Sequence, residues 1–283
     1  MTNQIIVQLN PDVPPTGSDL GIVNAARKSF GRRSEWEYIT KGEVDNSGNL
    51  VEYVKLKDKD KRLLEFLARG MTADDFDAFV EEVSYISQWE DWDEGAPLTY
   101  QHFIKSLWNW RNTPTHDTPF NHGFFSFEVK APVFVNRHLV KHEYLIMSEY
   151  SRRYITDTPE FYLPVFRMKA DDIKQGSGGP VPPQEQARLE AEWVSRNLMS
   201  LEAYEEDLAE GVAPELARTN LPQSLMTSWT FSGTLGAFAS LCKLRLSKDT
   251  QYETRIVAEK IYGHLKEQFP VAAPLLVFGC VNT

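Results

Sequence analysis

The sequence predicts an α+β fold, one domain with a core sheet and flanking helices. Three observations carry that reading. Runs with strand character are spread along the chain at Ile5–Leu9, Gly123–Lys130 and Leu225–Phe231. Two long segments in the C-terminal half repeat apolar residues at helical spacing. No internal repeat and no inter-domain linker interrupts the 283 residues, a length within reach of one large domain.

Taken in order, Ile5–Leu9 alternates apolar and polar residues as a first strand does. Ser18 and Asp19 suit the cap of a short helix through Ala26. Residues 31–58 are polar and mixed, with turn residues Asp45-Asn46-Ser47-Gly48. Lys61–Ala68 has a broad apolar face of Leu63, Leu64, Phe66 and Leu67 and reads as a helix. Residues 71–99 are acidic and interleaved with aromatics, which reads as helix then loop, and His102–Trp110 as another short helix. Gly123–Lys130 is aromatic-rich and β-prone. Ala131-Pro132 opens a helix through about Val140, with proline near its first turn. Clustered Gly and Pro make 169–183 a loop. A long amphipathic helix follows to about Ala209, with Val194, Leu198, Leu201 and Leu208 as its apolar stripe. Leu225–Phe231 is the next strand and leads into a helix to about Leu244. The last long helix, Gln251–Gln268, is expected to bury Val257, Ile261 and Leu265.

Composition narrows the function classes. Hydrophobic residues are 42% of the chain, enough for a packed core. No apolar run reaches the roughly 20 residues of a membrane span, and the first residues lack a secretion signal. Cys242 and Cys280 offer neither metal-ligand spacing nor a disulfide framework. The expectation is a cytoplasmic protein without a metal. A net charge of −10 disfavours nucleic acid and anionic membranes as partners. Against it stands one cationic island, Arg137, Lys141, Arg152 and Arg153 with His138 and His142. Its only acids are Glu143 and Glu149, so it suits a phosphate-bearing ligand.

The most informative stretch is Arg137–Pro164, RHLVKHEYLIMSEYSRRYITDTPEFYLP. It resembles the R-H-R-x7-S signature of the flavin-dependent thymidylate synthases. The frame here is Lys141-His142-Glu143, then seven residues, then Ser151, a divergent form of the signature. His142, Glu149, Ser151, Arg153 and Tyr154 match the longer family run. The flanks APVFVNR and EFYLP resemble the family's lead-in and exit. Three further blocks follow the family's order: NAARKSFG at 24–31, HDTPF at 116–120, and RTNLP, Leu244-Arg245 and Gln251-Tyr252-Glu253 near the C-terminus. Departures sit inside the same blocks. Lys141 and Glu143 replace the two signature arginines, Ile146 a serine and Ser148 an asparagine. His138 stands where the family often has glutamine, and Thr234 and Ser240 where it has asparagines.

The resemblance implies a mixed or antiparallel sheet flanked by long helices. It implies methylation at C5 of a pyrimidine nucleotide, most simply dUMP to dTMP, with FAD, NADPH and methylenetetrahydrofolate. It also implies a homotetramer. By matching position, Arg245 is the residue expected to activate the pyrimidine, since a guanidinium against the ring carbonyls favours attack from C5. The alternative for Arg245 is a cap on the C-terminus of the 234–244 helix. His138, Glu149, Ser151, Arg152, Arg153 and Arg218 join it as nucleotide-binding residues, with a structural ion pair to Glu149 the alternative for Arg153. The FAD-binding set is Ser29, His116, Thr118, Lys141, His142, Glu143, Glu149, Thr234 and Ser240. Glu143 is expected to turn toward a nearby cation or face solvent. Cys242, on an apolar helix face, reads as a packed thiol. Residues 71–107 have no counterpart in the family pattern and read as a helical insertion in a single domain spanning 1–283. The substitutions leave a second nucleotide, dCMP or UMP, as an alternative substrate. A nucleotide-binding homologue without turnover is the alternative to an enzyme.

Overall fold

A computed structural model describes residues 1–44, 50–69, 116–170 and 176–278. In chain order the elements are β1 (Ile6–Leu9), α1 (Asp19–Arg27), β2 (Glu37–Val44), β3 (Leu50–Lys55), α2 (Asp58–Arg69), β4 (Phe124–Pro132), α3 (Val133–Leu139), β5 (Leu145–Glu149), α4 (Pro183–Ala209), α5 (Pro214–Ala217), β6 (Met226–Thr234), α6 (Leu235–Arg245), α7 (Tyr252–Gln268) and α8 (Ala272–Phe278). The expected α+β class with an antiparallel sheet is found. The expected insertion at 71–107 and the expected helix at His102–Trp110 lie outside the described residues, as does Cys280. Among the described residues, no helix is long and apolar enough to cross a membrane. None of their His, Cys, Asp and Glu side chains gather as a metal-holding group.

Contacts divide the chain into two compact units. The first comprises Met1–Pro15 and Phe124–His264. Its sheet has strand order β1-β4-β6-β5, antiparallel throughout. β4 and β6 form the centre, paired from Phe124↔Thr234 to Pro132↔Met226. Alternation puts Phe125, Phe127, Trp229 and Phe231 on the buried face. Phe238 of α6 meets Phe127 and Phe231 edge-on, with ring centroids 5.1 and 5.4 Å apart, the arrangement aromatic quadrupoles favour. Thr234 ends β6 and caps α6 by accepting from the Ala237 N–H. Strand and helix therefore follow one another without a connecting loop. Cys242 on α6 is fully buried and donates weakly to the Ala258 carbonyl of α7, and burial pushes its thiol up. It is a packed thiol, as expected. Val257 and Ile261 of α7 are likewise fully buried.

The stripe expected on α4 is corrected. Val194, Leu201 and Leu208 are half-buried, but Leu198 is 54% exposed, and the fully buried positions are Asn197 and Tyr204. Asn197 is buried because both ends of its amide are used: it donates to the Trp193 carbonyl and accepts from the Ser224 hydroxyl. A polar side chain with partners on both sides can replace an apolar one inside.

The described residues of Thr16–Gly123 and Leu265–Thr283 form the second unit. Ser18 caps α1 by accepting from the Gly21 N–H. Asn24 brackets Ser34, donating to its carbonyl and accepting from its N–H. Arg27 meets the fully buried carboxylate of Asp60 at 2.6 Å, and the Ser34 hydroxyl donates to the same carboxylate. Asp19 accepts the backbone N–H groups of Val271 and Ala272, both at 2.9 Å, at the start of α8. Glu37–Val44 and Leu50–Lys55, read only as polar and mixed, pair antiparallel as β2 and β3. Gly123 is required by close approach, since a Cβ there would lie 2.5 Å from the Phe269 ring.

Candidate active site

α3 begins after Pro132 and ends with Val140 as its C-cap. The chain then turns through Lys141–Tyr144 and enters β5. Tyr144 has φ 63°, a left-handed value uncommon outside glycine, and makes the reversal. The signature thus straddles a helix end, a tight turn and an edge strand. On the neighbouring strand, Gly233 lies opposite Leu145. Any Cβ at 233 would meet the Leu145 side chain, so glycine lets the turn settle on the sheet.

Arg245, the last residue of α6, reaches this turn. Its Nε donates to Nε2 of His142 at 2.9 Å, and its Nη2 donates to the His138 carbonyl at 3.2 Å. The expected alternative placed Arg245 at its own helix C-terminus. It caps α3 instead, satisfying one of the carbonyls a helix end leaves free. His138 Nδ1 lies 3.0 Å from the Thr254 hydroxyl on α7. Burial, helped by the Arg245 charge, lowers the His142 imidazole to about 4. The same two causes hold His138 below its ordinary value. Two nitrogens of Arg245 are fixed by neutral acceptors, and among the described residues no carboxylate cancels its charge.

His138 and Arg245 line a cleft of about 750 Å³ together with Arg167, Lys243, Thr250 and Gln251. That volume suits a cofactor- or nucleotide-sized ligand. Arg167 is committed inside the protein. It pairs at 2.5 Å with Glu253, which is almost fully buried, donates to Ser177, and lies 4.6 Å from the Tyr252 ring centroid. Thr254, Arg167 and Glu253 were not among the expected site residues. Glu253 falls in the block that drew attention to the C-terminus, but nothing in the sequence ties it to Arg167.

The other expected nucleotide residues gather at the end of β5. Glu149 accepts from Thr227, not from Arg153. Arg153 pairs instead with Glu215 of α5 at 3.3 Å, and Arg218 Nε donates to the Glu215 carbonyl at 3.4 Å. Ser151 accepts from the Arg153 N–H. Arg152 is buried and turned toward Asp157. Among the expected flavin residues, Lys141 and Glu143 are exposed beside His142. Thr234 is the α6 cap, and Ser240, exposed on α6, donates back to the Gly236 carbonyl. Ser29, His116 and Thr118 belong to the second unit. There Ser29 donates to Ala26, and His116 stacks on Phe66 with centroids 5.5 Å apart.

The antiparallel sheet with its flanking helices is a fold that known proteins share. The family model described as "Thymidylate synthase complementing protein" matches residues 15–271, a span that crosses both units. The chain belongs to this family, the flavin-dependent thymidylate synthases, which is a family of enzymes. It is 32% identical over 171 residues to the flavin-dependent thymidylate synthase of Wolbachia pipientis wMel, covering 59% of this chain and 60% of that protein. It is 37% identical over 158 residues to that of Thermus thermophilus, covering 56% and 57%. The matches therefore span less than two thirds of these relatives. A crystal structure of the UMP/dUMP methylase PolB from Streptomyces cacaoi, bound with 5-Br dUMP, has the same fold. Its TM-score is 0.64 at 23% identity, over 96% of this chain and 94% of that one.

Proposed function

We propose that this protein methylates C5 of a pyrimidine nucleotide with bound flavin, most simply dUMP to dTMP. FAD, NADPH and methylenetetrahydrofolate would serve as cofactors, and the assembly would be a homotetramer in the cytoplasm. The chain would act as one family domain carrying the 71–107 insertion, with a pyrimidine nucleotide and further copies of itself as partners. Membership of the family supports this reading. The observation that carries it is Arg245, held at the cleft by His142 and the His138 carbonyl with its charge uncancelled among the described residues. A fixed cation already in place stabilises charge that develops on a pyrimidine carbonyl without reorganising during the reaction.

The donor set suits a large anionic cofactor. Among the described residues, Lys243 and Arg245 line the cleft without a carboxylate partner, and Thr250 adds a hydroxyl, while Asp249, the carboxylate of the lining, accepts from Ser247. By family resemblance Ser29, His116, Thr118, Lys141, His142, Thr234 and Ser240 would each contact FAD. Bound there and reduced by NADPH, the flavin would supply the hydride that completes the methyl group. The remaining work belongs to the chain's own side chains. Ser151 and Arg153 bind the nucleotide phosphate, Arg153 exchanging Glu215 for it, and Arg218 adds charge nearby. His138 faces the base beside Arg245. Glu149, held by Thr227, borders both ligands.

A second reading changes the nucleotide to dCMP or UMP. It is favoured by the Lys141, Glu143, Ile146 and Ser148 replacements, which lie in the turn that Arg245 reaches and in the strand that follows it. Tritium release from C5-labelled dUMP, UMP and dCMP, run with the flavin spectrum of the purified protein, separates the two. The expected result is a yellow protein that releases tritium fastest from dUMP. Faster release from another nucleotide selects the second reading. A colourless protein that rejects added FAD overturns both.

A further inference from the structure

Arg152 is the one arginine of the signature stretch that does not face outward. Its side chain is 9% exposed. Nη1 donates to the backbone carbonyl of Asp157 at 2.6 Å and lies 3.2 Å from the Asp157 carboxylate. Asp157 also accepts from the Tyr150 hydroxyl at 2.6 Å, and the Arg152 guanidinium lies 5.8 Å from the Tyr150 ring centroid. These contacts tie both ends of residues 150–157 together around one carboxylate. Inside the loop, the Tyr154 N–H donates to the Ser151 carbonyl and the Arg153 N–H to the Ser151 hydroxyl. The Tyr150 N–H donates to Ser228 of β6, which fixes the start of the loop to the sheet. The turn that carries Ser151 and Arg153 is therefore closed by its neighbours.

We propose that Arg152 and Asp157 are positioning residues: their clasp on Tyr150 holds the 151–154 turn so that Ser151 and Arg153 meet the nucleotide phosphate without a further ordering cost. Arg152 would thus not be a phosphate ligand itself. The proposal rests on the functional reading above, and it extends it to residues that never touch the ligand. A pre-formed turn binds more tightly because ordering is already complete before the ligand arrives.

Asp157→Ala separates a clasp from a restrained ligand. As a clasp, removing Asp157 loosens the turn and weakens dUMP binding. If Arg152 were a phosphate ligand held back by Asp157, removing the acid would free a cation and tighten binding. By calorimetry, Asp157→Ala is expected to raise the dUMP dissociation constant about tenfold and leave that of FAD within about twofold. Asp157→Asn keeps an acceptor for Tyr150 and should fall between it and the parent. Under turnover, the loss should appear in KM with kcat nearly unchanged, because the turn holds ground state and transition state alike. Amide hydrogen exchange on the ligand-free protein reads the clasp directly, with Arg153 and Tyr154 exchanging faster in Asp157→Ala. Unchanged exchange at those amides, or equal or tighter dUMP binding, overturns the proposal. A parent protein that binds no pyrimidine nucleotide overturns the functional reading instead, and the exchange rates then still decide whether the clasp exists.

Discussion

Nε2 of His142 accepts a hydrogen bond from Nε of Arg245 at 2.9 Å. An imidazolium has no lone pair to accept with, so this contact requires a neutral ring. The two residues are 103 positions apart in sequence, and they join the turn after α3 to the end of α6. Protonating His142 would break the bond and set two cations side by side.

Stability should therefore fall in mild acid. The folded protein holds His142 at about 4, against an ordinary value of 6.5. Between those values the unfolded chain binds more protons, so stability is full above about 6.5 and declines as pH drops toward 4. Asp19, which burial pushes up to about 6, works in the opposite direction over the same window. The difference between parent and His142→Gln isolates the imidazole. Urea midpoints at pH 7 and pH 5 should show the parent losing more stability than the variant. An equal loss in the two proteins would mean that the ring is not held neutral.

Arg245→Ala should reduce turnover by about 10²–10³, the usual cost of removing one preorganised donor. Nucleotide affinity should fall as well, while the flavin spectrum persists. Arg245→Lys should recover little, because an ammonium cannot span both the His142 ring and the His138 carbonyl in the way the planar fork does. Steady-state kinetics on the flavin-loaded proteins decides it, and near-parental rates in Arg245→Ala would move the activating role elsewhere.

Glu143 is exposed beside the turn and stands where the family has arginine. Glu143→Arg should preserve or strengthen FAD binding by removing a charge that repels phosphate. High salt should shrink any gain. Titrating apo-protein with FAD at two ionic strengths measures both effects. Loss of FAD binding would show that Glu143 has acquired a role of its own and would favour the changed-nucleotide reading.

In the second unit, Asp19→Ala strands the N–H groups of Val271 and Ala272 at the start of α8. Each stranded buried donor costs about 1–3 kcal/mol. Asp19→Asn keeps one acceptor and should lose less. Asp60→Ala leaves Arg27 without its 2.6 Å partner, and breaking a buried pair from one side costs about 3–5 kcal/mol. Denaturant unfolding is the measurement for both, with the slope m unchanged if the effect lies in the native contacts.

The parts legible in the sequence were those where burial and periodicity coincide. β4, β6 and α7 carry large apolar residues at regular spacing, and their expected limits fell within a few residues of the observed ones. β5 was missed because its residues alternate only between half-buried and exposed, with no apolar rhythm. The β2–β3 pairing was missed for a related reason: Tyr38 and Val54 pair across the strands on an exposed face among charged residues. On α4, helical spacing alone pointed to Leu198, whereas hydrogen bonding decided for Asn197. At the site, matching blocks led to Arg245, His142 and His138. The bonds among them, and the Thr254 and Asp157 contacts, depend on where separate elements meet, and no local pattern encodes that.

Among the described residues, β5 is the last strand of its sheet, paired on one side only, with β6. A residue on such a strand answers to one neighbouring ladder, whereas one on β4 or β6 answers to two. Changes there cost the scaffold little, so the strand and the turn before it can drift while the central pair stays fixed. Ile146 and Ser148, two of the departures from the family signature, lie on that margin. The architecture places these departures where inheritance can most easily experiment.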